Sequence, residues 1–284
     1  MKTRRSFGWF ALVLLLLPTA HARAAQTTHT LECTAEQGKA AAVTIQQDEA
    51  AQHRRFQVPA IDYPFGTKLE GEWGQSVALR VNAEGGVTCY TLENNFGRDH
   101  PPRPQVARAL AGVAQWRYAP FLRGGKPVAT IVREHIAEQE LPAHEIAMPS
   151  APPGETTVTL RRTECYGTCP NYAVQIRGDG HVLYVGFSHV QTTGKHEYAI
   201  PVTAVSQLLD DIRAKNLWSL RDSYADDVSD LPSTMIEIRV GTQTHWIRDY
   251  MGTAVGMPRA VNEIESEIDR VADTARWIGK PPIR

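Results

Sequence analysis

The chain has 284 residues and a formal net charge of −1, with 30 Lys and Arg against 31 Asp and Glu. At 42% hydrophobic and 21% charged residues it has the composition of a folded protein, not of a disordered chain or a fibre. The even charge balance argues against a nucleic-acid binder, which needs a basic surface, and four cysteines are too few for a disulfide-stapled miniprotein.

Lys2, Arg4 and Arg5 precede an apolar run from Phe7 to Leu17, and Pro18 and small residues up to Ala25 follow. A positive end, an apolar middle and a small-residue cleavage site are the order of a secretory signal peptide. The run is 11 residues long, against the about 20 that a membrane-crossing helix needs. Residues 1–25 are therefore expected to be cleaved near Ala24 or Ala25, giving a soluble periplasmic or secreted protein without a membrane span. A retained anchor is the alternative. Cleavage takes the net charge from −1 to −5, since four cations and no carboxylate leave.

In the next segment, 26–141, Val77, Leu79 and Val81 alternate with Ala78 and Arg80, as a half-buried strand does. Asn82 to Gly86 reads as a turn, and Val87 to Leu92 resumes the alternation, which makes a β-hairpin. Pro104 opens a helix with Val106, Ala107, Leu110, Ala111 and Val113 on one face. Trp116 to Lys126 then leads into a last strand, Val128 to Ile136. The order β-β-α-β-β predicts a helix packed on a small antiparallel sheet. Residues 30–33 and 42–46 read as edge strands.

Tyr63-Pro64, the strand GQSVALRVNAEGGV, the Pro104 helix and WRYAPFLRGGKPV (Trp116 to Val128) resemble the C-terminal domain of TonB-type energy transducers over residues 60–137. The resemblance implies recognition of an extended peptide by strand addition at a sheet edge. The edge expected to do this is the last strand, at Val128, Thr130, Val132 and Arg133. A cleaved signal stands where that family has a membrane anchor, and its long Pro-rich spacer is missing. The resemblance is thus carried over as a freestanding recognition module, not as an anchored transducer.

Leu141 to Gly154 holds four prolines, which fix φ and remove donors, so 142–154 reads as a semi-extended linker. Beyond it, 155–284 shows strands at Thr157–Arg161, Tyr172–Ile176, His181–Val185 and His196–Ile200. A Pro201 helix follows, then a hairpin over Ile236–Arg248 and a Pro258 helix with Val261, Ile264, Ile268 and Val271 on one stripe. The order β4-α-β2-α makes the whole an α+β protein of two small domains, each an antiparallel sheet with helices packed on it. Cys165-Tyr-Gly-Thr-Cys169-Pro170-x-Tyr172, Gly178-Asp-Gly180 and Asp230-Leu-Pro-Ser-Thr234 resemble a family of secreted bacterial domains of unknown function. That resemblance implies export and no activity.

Four residues of extended strand span about 13 Å, so a Cys165–Cys169 disulfide requires the chain to fold back, which Gly167 and Pro170 suit. A structural disulfide is the expectation; a redox pair would need the C-x-x-C spacing, and a metal site two more ligands. Cys33–Cys89 is the pairing that keeps each bridge inside one half, although four cysteines allow three pairings. His181, His189 and His196 read as surface histidines, and Asp222, Asp226, Asp227 and Asp230 as a solvated loop. The glycine and glutamate spacing of a calcium loop is missing from it. Trp73, Trp116, Trp218, Trp246 and Trp277 read as core or interface residues. No cofactor, metal or catalytic constellation is expected. The functional expectation is a non-catalytic, exported module that binds an envelope protein or peptide, with a thiol- or His-dependent envelope enzyme and a structural scaffold as alternatives.

Overall fold

A computed structural model describes residues 31–39, 43–45, 47–69, 74–93 and 103–279. The expected signal segment and Trp73 lie outside them. The first half contains α1 (Ala35–Lys39), β1 (Val43–Ile45), α2 (Gln47–His53), β2 (Ile61–Tyr63), β3 (Gly74–Val81), β4 (Val87–Leu92) and α3 (Arg103–Leu110). A two-stranded ribbon of β5 (Leu122–Arg123) and β6 (Lys126–Pro127) leads to β7 (Thr130–Glu140).

The hairpin of β3 and β4 forms where alternation predicts it. Asn82 N–H donates to Gly86 O and Gly85 N–H to Asn82 O, closing the turn. At Gly85 φ is +86°, and an added Cβ would lie 2.0 Å from Tyr118 O, so the position accepts only glycine.

β7 is where expectation and structure part. It lies inside its sheet, with β3 antiparallel on one side. On the other side β1 runs parallel to Thr130–Val132 and β2 parallel to Glu138–Glu140. The open edge expected at Val128, Thr130, Val132 and Arg133 is therefore occupied: Thr130 faces Val43, Val132 faces Ile45, and Val128 N–H donates to Phe121 O. Arg133 reaches over the surface to Glu93 at 2.9 Å. The physical reason is that segments 43–45 and 61–63 must also satisfy their backbone groups. Three residues carry no readable period, so their pairing was invisible in the sequence. The sheet is mixed, not purely antiparallel.

The outer edge of β4 is also engaged. Cys33 N–H donates to Tyr90 O and Tyr90 N–H to Leu31 O, and the Cys33–Cys89 disulfide, with Cα atoms 4.9 Å apart, pins this segment to the strand. Beneath the sheet, Val77, Leu79, Val132 and Ile136 pack with Val106, Leu110, Trp116 and Phe121.

The second half holds β8 (Thr156–Arg162), β9 (Asn171–Arg177), β10 (His181–Ser188), β11 (Gly194–Ala199), α4 (Val202–Ala214) and β12 (Ser223–Ala225). It ends with β13 (Thr234–Val240), β14 (Gln243–Tyr250), α5 (Arg259–Val271) and α6 (Ala275–Ile278). Seven strands run in the order β11-β10-β9-β8-β13-β14-β12. All neighbours are antiparallel except β12, a three-residue strand absent from the sequence reading, which lies parallel to β14. Val205, Leu208 and Ile212 of α4 and Val261, Ile264 and Ile268 of α5 cover one face of this sheet. Each such side chain contributes about 2 kcal/mol by leaving water. The architecture is α+β.

From Leu31 onward the chain is one compact unit. Glu140 N–H donates to Gly256 O, and the Glu140 carboxylate, 1% exposed, receives Arg221 at 2.9 Å. Leu69 packs so closely on Gly256 (φ +82°) that a Cβ there would meet it at 2.4 Å. The Pro-rich segment is pinned as it passes, with Ile146 N–H on Ser219 Oγ at 2.7 Å and Met148 and Ala151 against the second core.

Candidate functional site

Two of the three signature segments, Cys165–Tyr172 and Asp230–Thr234, meet at one end of the seven-stranded sheet, and the Gly178–Gly180 turn lies at the other end of β9. Thr163, just past β8, takes Ser233 N–H on its Oγ1 (2.8 Å) and donates its own N–H to Ser233 O (2.9 Å). Tyr166 N–H donates to Asp230 O at 2.9 Å. Cys165 and Cys169 close the loop as a disulfide with Cα atoms 5.6 Å apart, the fold-back that their spacing requires. Its tip, Tyr166, is 91% exposed.

Arg162 ties this loop to α5. Its Nε donates to Tyr172 Oη and Asp269 Oδ2, both at 3.1 Å, and its Nη1 to Thr234 Oγ1 at 3.0 Å. Tyr172 O–H in turn donates to Asp269 Oδ1 at 2.6 Å. Burial, with Asp269 beside it, raises the Tyr172 pKa, so the phenol stays protonated as the donor this network needs. Two motif residues, Tyr172 and Thr234, thus join Arg162 and Asp269 in a clamp rather than a reacting centre.

Glu265 stands behind the clamp. Only 4% exposed, it has Arg162 Nη1 at 3.8 Å, and its Oε1 has no hydrogen-bond partner among the described residues. Burial first, and then the charge of Asp249, push its pKa up to about 7. Asp249 is held by Asn262 Nδ2 (3.2 Å) and by Gly252 N–H (2.7 Å).

The face of the sheet away from α4 and α5 carries the alternate side chains in register. One row crosses six strands as Lys195, Val185, Ala173, Arg161, Met235 and Arg248. The next runs Glu197, Leu183, Gln175, Thr159, Glu237 and Trp246, and a third Arg177, Thr157, Arg239 and Thr244. A register shift between Gly186 and Ser188 marks a bulge at Phe187. Phe187 is 47% exposed with the Arg161 guanidinium 4.2 Å above its ring, and Trp246 is 44% exposed. Lys195 pairs with Glu197 at 3.3 Å and Arg177 with Asp179 at 2.6 Å. Among the described residues, Arg161, Arg239 and Arg248 form no ion pair.

The remaining sequence candidates are dispersed. His181 faces Glu197 at 3.4 Å, and His196 stacks on Trp277 with ring centroids 4.5 Å apart. His189 sits at a left-handed turn residue, φ 54°. Asp222 O accepts from Arg248 N–H, and Asp226 N–H donates to Tyr250 O, so these two act at the sheet edge. Trp116 is buried and stacked on Phe56. Sequence reasoning missed the open face and placed Trp246 with core or interface residues. The charges alternating through β8, β13 and β14 were the available signal.

Among the described residues, no helix is long and apolar enough to cross a membrane. Two disulfides are compatible with export. Together these features describe an α+β protein with a five- and a seven-stranded sheet and a disulfide-braced loop. Residues 156–272 match the family model of a domain of unknown function, DUF6438. No curated protein matches the chain. The likeness of residues 60–137 to the energy-transducer domain rests on its motifs alone.

Proposed function

We propose that this chain is an exported, periplasmic protein-binding module whose recognition surface is the open face of the seven-stranded sheet. The observation that carries this reading is the row Arg161–Met235–Arg248, flanked by Phe187 and Trp246. Arginine, methionine and the large aromatic residues are the types enriched where protein interfaces concentrate their energy. Charge complementarity selects the partner. Three guanidiniums that form no ion pair among the described residues share one face with Glu197 and Glu237, in a chain whose expected mature charge is −5. An acidic protein segment with apolar side chains meets both demands, the carboxylates on the arginines and the apolar groups on Met235, Phe187 and Trp246. The function is recognition, and the Cys165–Cys169 loop serves it as a braced border.

The test uses the mature chain against a pool of acidic peptides containing Leu and Phe and a matched pool with Lys in place of Asp and Glu. Binding to the acidic pool is expected to fall with added salt and to weaken about tenfold or more in Arg161→Glu/Arg248→Glu. Equal binding to both pools, or no loss in the double variant, refutes the reading.

A further inference from the structure

A second site lies where the two halves meet. A cleft of about 620 Å³ opens beside β7, with His135 and Glu138 on one wall and Thr253, in the turn before α5, and Arg259, Asn262 and Glu263 of α5 on the other. That volume suits a small organic molecule, and such sites favour the junction between structural halves.

Arg259 is the odd residue of this cleft. It is the first residue of α5, where the helix dipole disfavours a cation. It is half-buried, its Nε is shielded from water, and that atom has no acceptor among the described residues. Burial lowers its pKa, the charge of Glu263 raises it, and the like charge of Arg54 lowers it again against Asp62, which raises it. Glu263, one turn along the helix, is engaged elsewhere, by Lys215 and by Gln57 Nε2 at 3.3 Å. Glu263 and Asp62 compensate this guanidinium only in part, and an anion on its outer nitrogens offsets the helix dipole and the charge of Arg54. A bare carboxylate, however, would also meet Glu138 and Glu263. An ammonium group on the same molecule turns that repulsion into attraction. Glu138 has one oxygen taken by the Tyr63 hydroxyl at 3.2 Å and the other available to such a group.

We propose that this cleft binds a small zwitterion, a free amino acid or a dipeptide. The carboxylate lies on Arg259 with Asn262 and Thr253 as further donors, and the ammonium lies toward Glu138. The site is independent of the open sheet face, which lies on the other side of the second sheet from α5.

The experiment is calorimetric titration of the mature chain with the free L-amino acids and dialanine. The C-terminal amide and the N-acetyl form of dialanine, or of whichever amino acid binds best, serve as comparison ligands. Saturable binding is expected for at least one zwitterion. Its amide and its N-acetyl form should each bind about tenfold more weakly, the worth of one charge-assisted contact. Arg259→Gln should lose the same factor, Arg259→Lys less, and Arg161→Glu nothing. The proposal is overturned if no zwitterion binds at millimolar concentration, if the amide binds as well as the acid, or if a folded Arg259→Gln binds as the parent does. The ligand series on the parent chain decides the matter even where that variant does not fold.

Discussion

The two sheets place charge in opposite ways. The first buries it: Glu134, 1% exposed, receives Arg54 Nε at 2.8 Å and the Tyr118 hydroxyl at 2.7 Å beneath β7, and Glu140 receives Arg221 at that strand's end. The second sheet keeps its helix-covered layer apolar apart from Glu265 and holds charge at one end, in the Arg162 clamp, and on its open face. A buried ion pair costs desolvation and contributes little net stability, but it is strongly destabilising to break, and it favours one arrangement over others. The first half uses charge to specify which short segments meet. Among the described residues, the second buries it only at Glu265 and the Arg162 clamp and carries the rest on the surface, where it is available to a partner.

The largest effect that sharpens this contrast concerns the disulfides. Cys33–Cys89 closes a loop with a sequence separation of 56, so replacing both with Ser should lower unfolding free energy by about 4 kcal/mol in urea melts. Next comes Glu134→Ala. It leaves the Arg54 guanidinium and the Tyr118 hydroxyl without their partner and should cost about 3 kcal/mol. Glu237→Ala on the open face should stay within about 0.5 kcal/mol. Equal costs for the two would erase the distinction between the sheets.

The pH dependence of stability tests the clamp. The Glu265 carboxyl has its pKa raised from 4.5 to about 7, so between these values the folded state holds a proton that the unfolded chain has released. The stability this provides is complete below the lower value and is lost as pH rises through 7. Glu265→Gln, which cannot ionise, should match the parent near pH 5 and exceed it by about 2 kcal/mol near pH 8. Thermal melts across that range would show the two curves diverging upward in pH. The loss of Cys165–Cys169 is a further small effect. Its short loop limits the cost to no more than about 2 kcal/mol, and the effect should concentrate in hydrogen exchange of residues 163–171.

The same contrast governs what was legible in the sequence. β3, β4, β8, β9, β10, β13 and β14 follow a period of two because one face of each meets a helix layer, and α4 and α5 announce themselves by Pro201, Pro258 and an apolar stripe. The pairing of Cys33 with Cys89 and of Cys165 with Cys169 was the expected one, but four cysteines allow three pairings and the structure decides among them. β2 and β12 were not legible, and β1, read as an edge strand over 42–46, gave no sign of its partner, because three residues hold no period and the strands they pair with lie far along the chain. That gap alone turned β7 from an expected edge into an interior strand. The Arg162 clamp joins residues 107 apart and leaves no local trace beyond the motif itself. On the open face, the residue types were visible, but which set of alternate side chains stays uncovered depends on where α4 and α5 pack.

The central claim, recognition through the open face, is tested most directly by photo-crosslinking in the intact cell envelope. A benzophenone amino acid is placed at Phe187 or Trp246, and at Ser206 on the solvent side of α4 as the contrast. The account predicts adducts from the first two positions that vanish with Arg161→Glu/Arg248→Glu and that map, by mass spectrometry, to an acidic segment of the partner. Adducts that form equally at Ser206, survive the charge reversal, or map to a segment without carboxylates would contradict it.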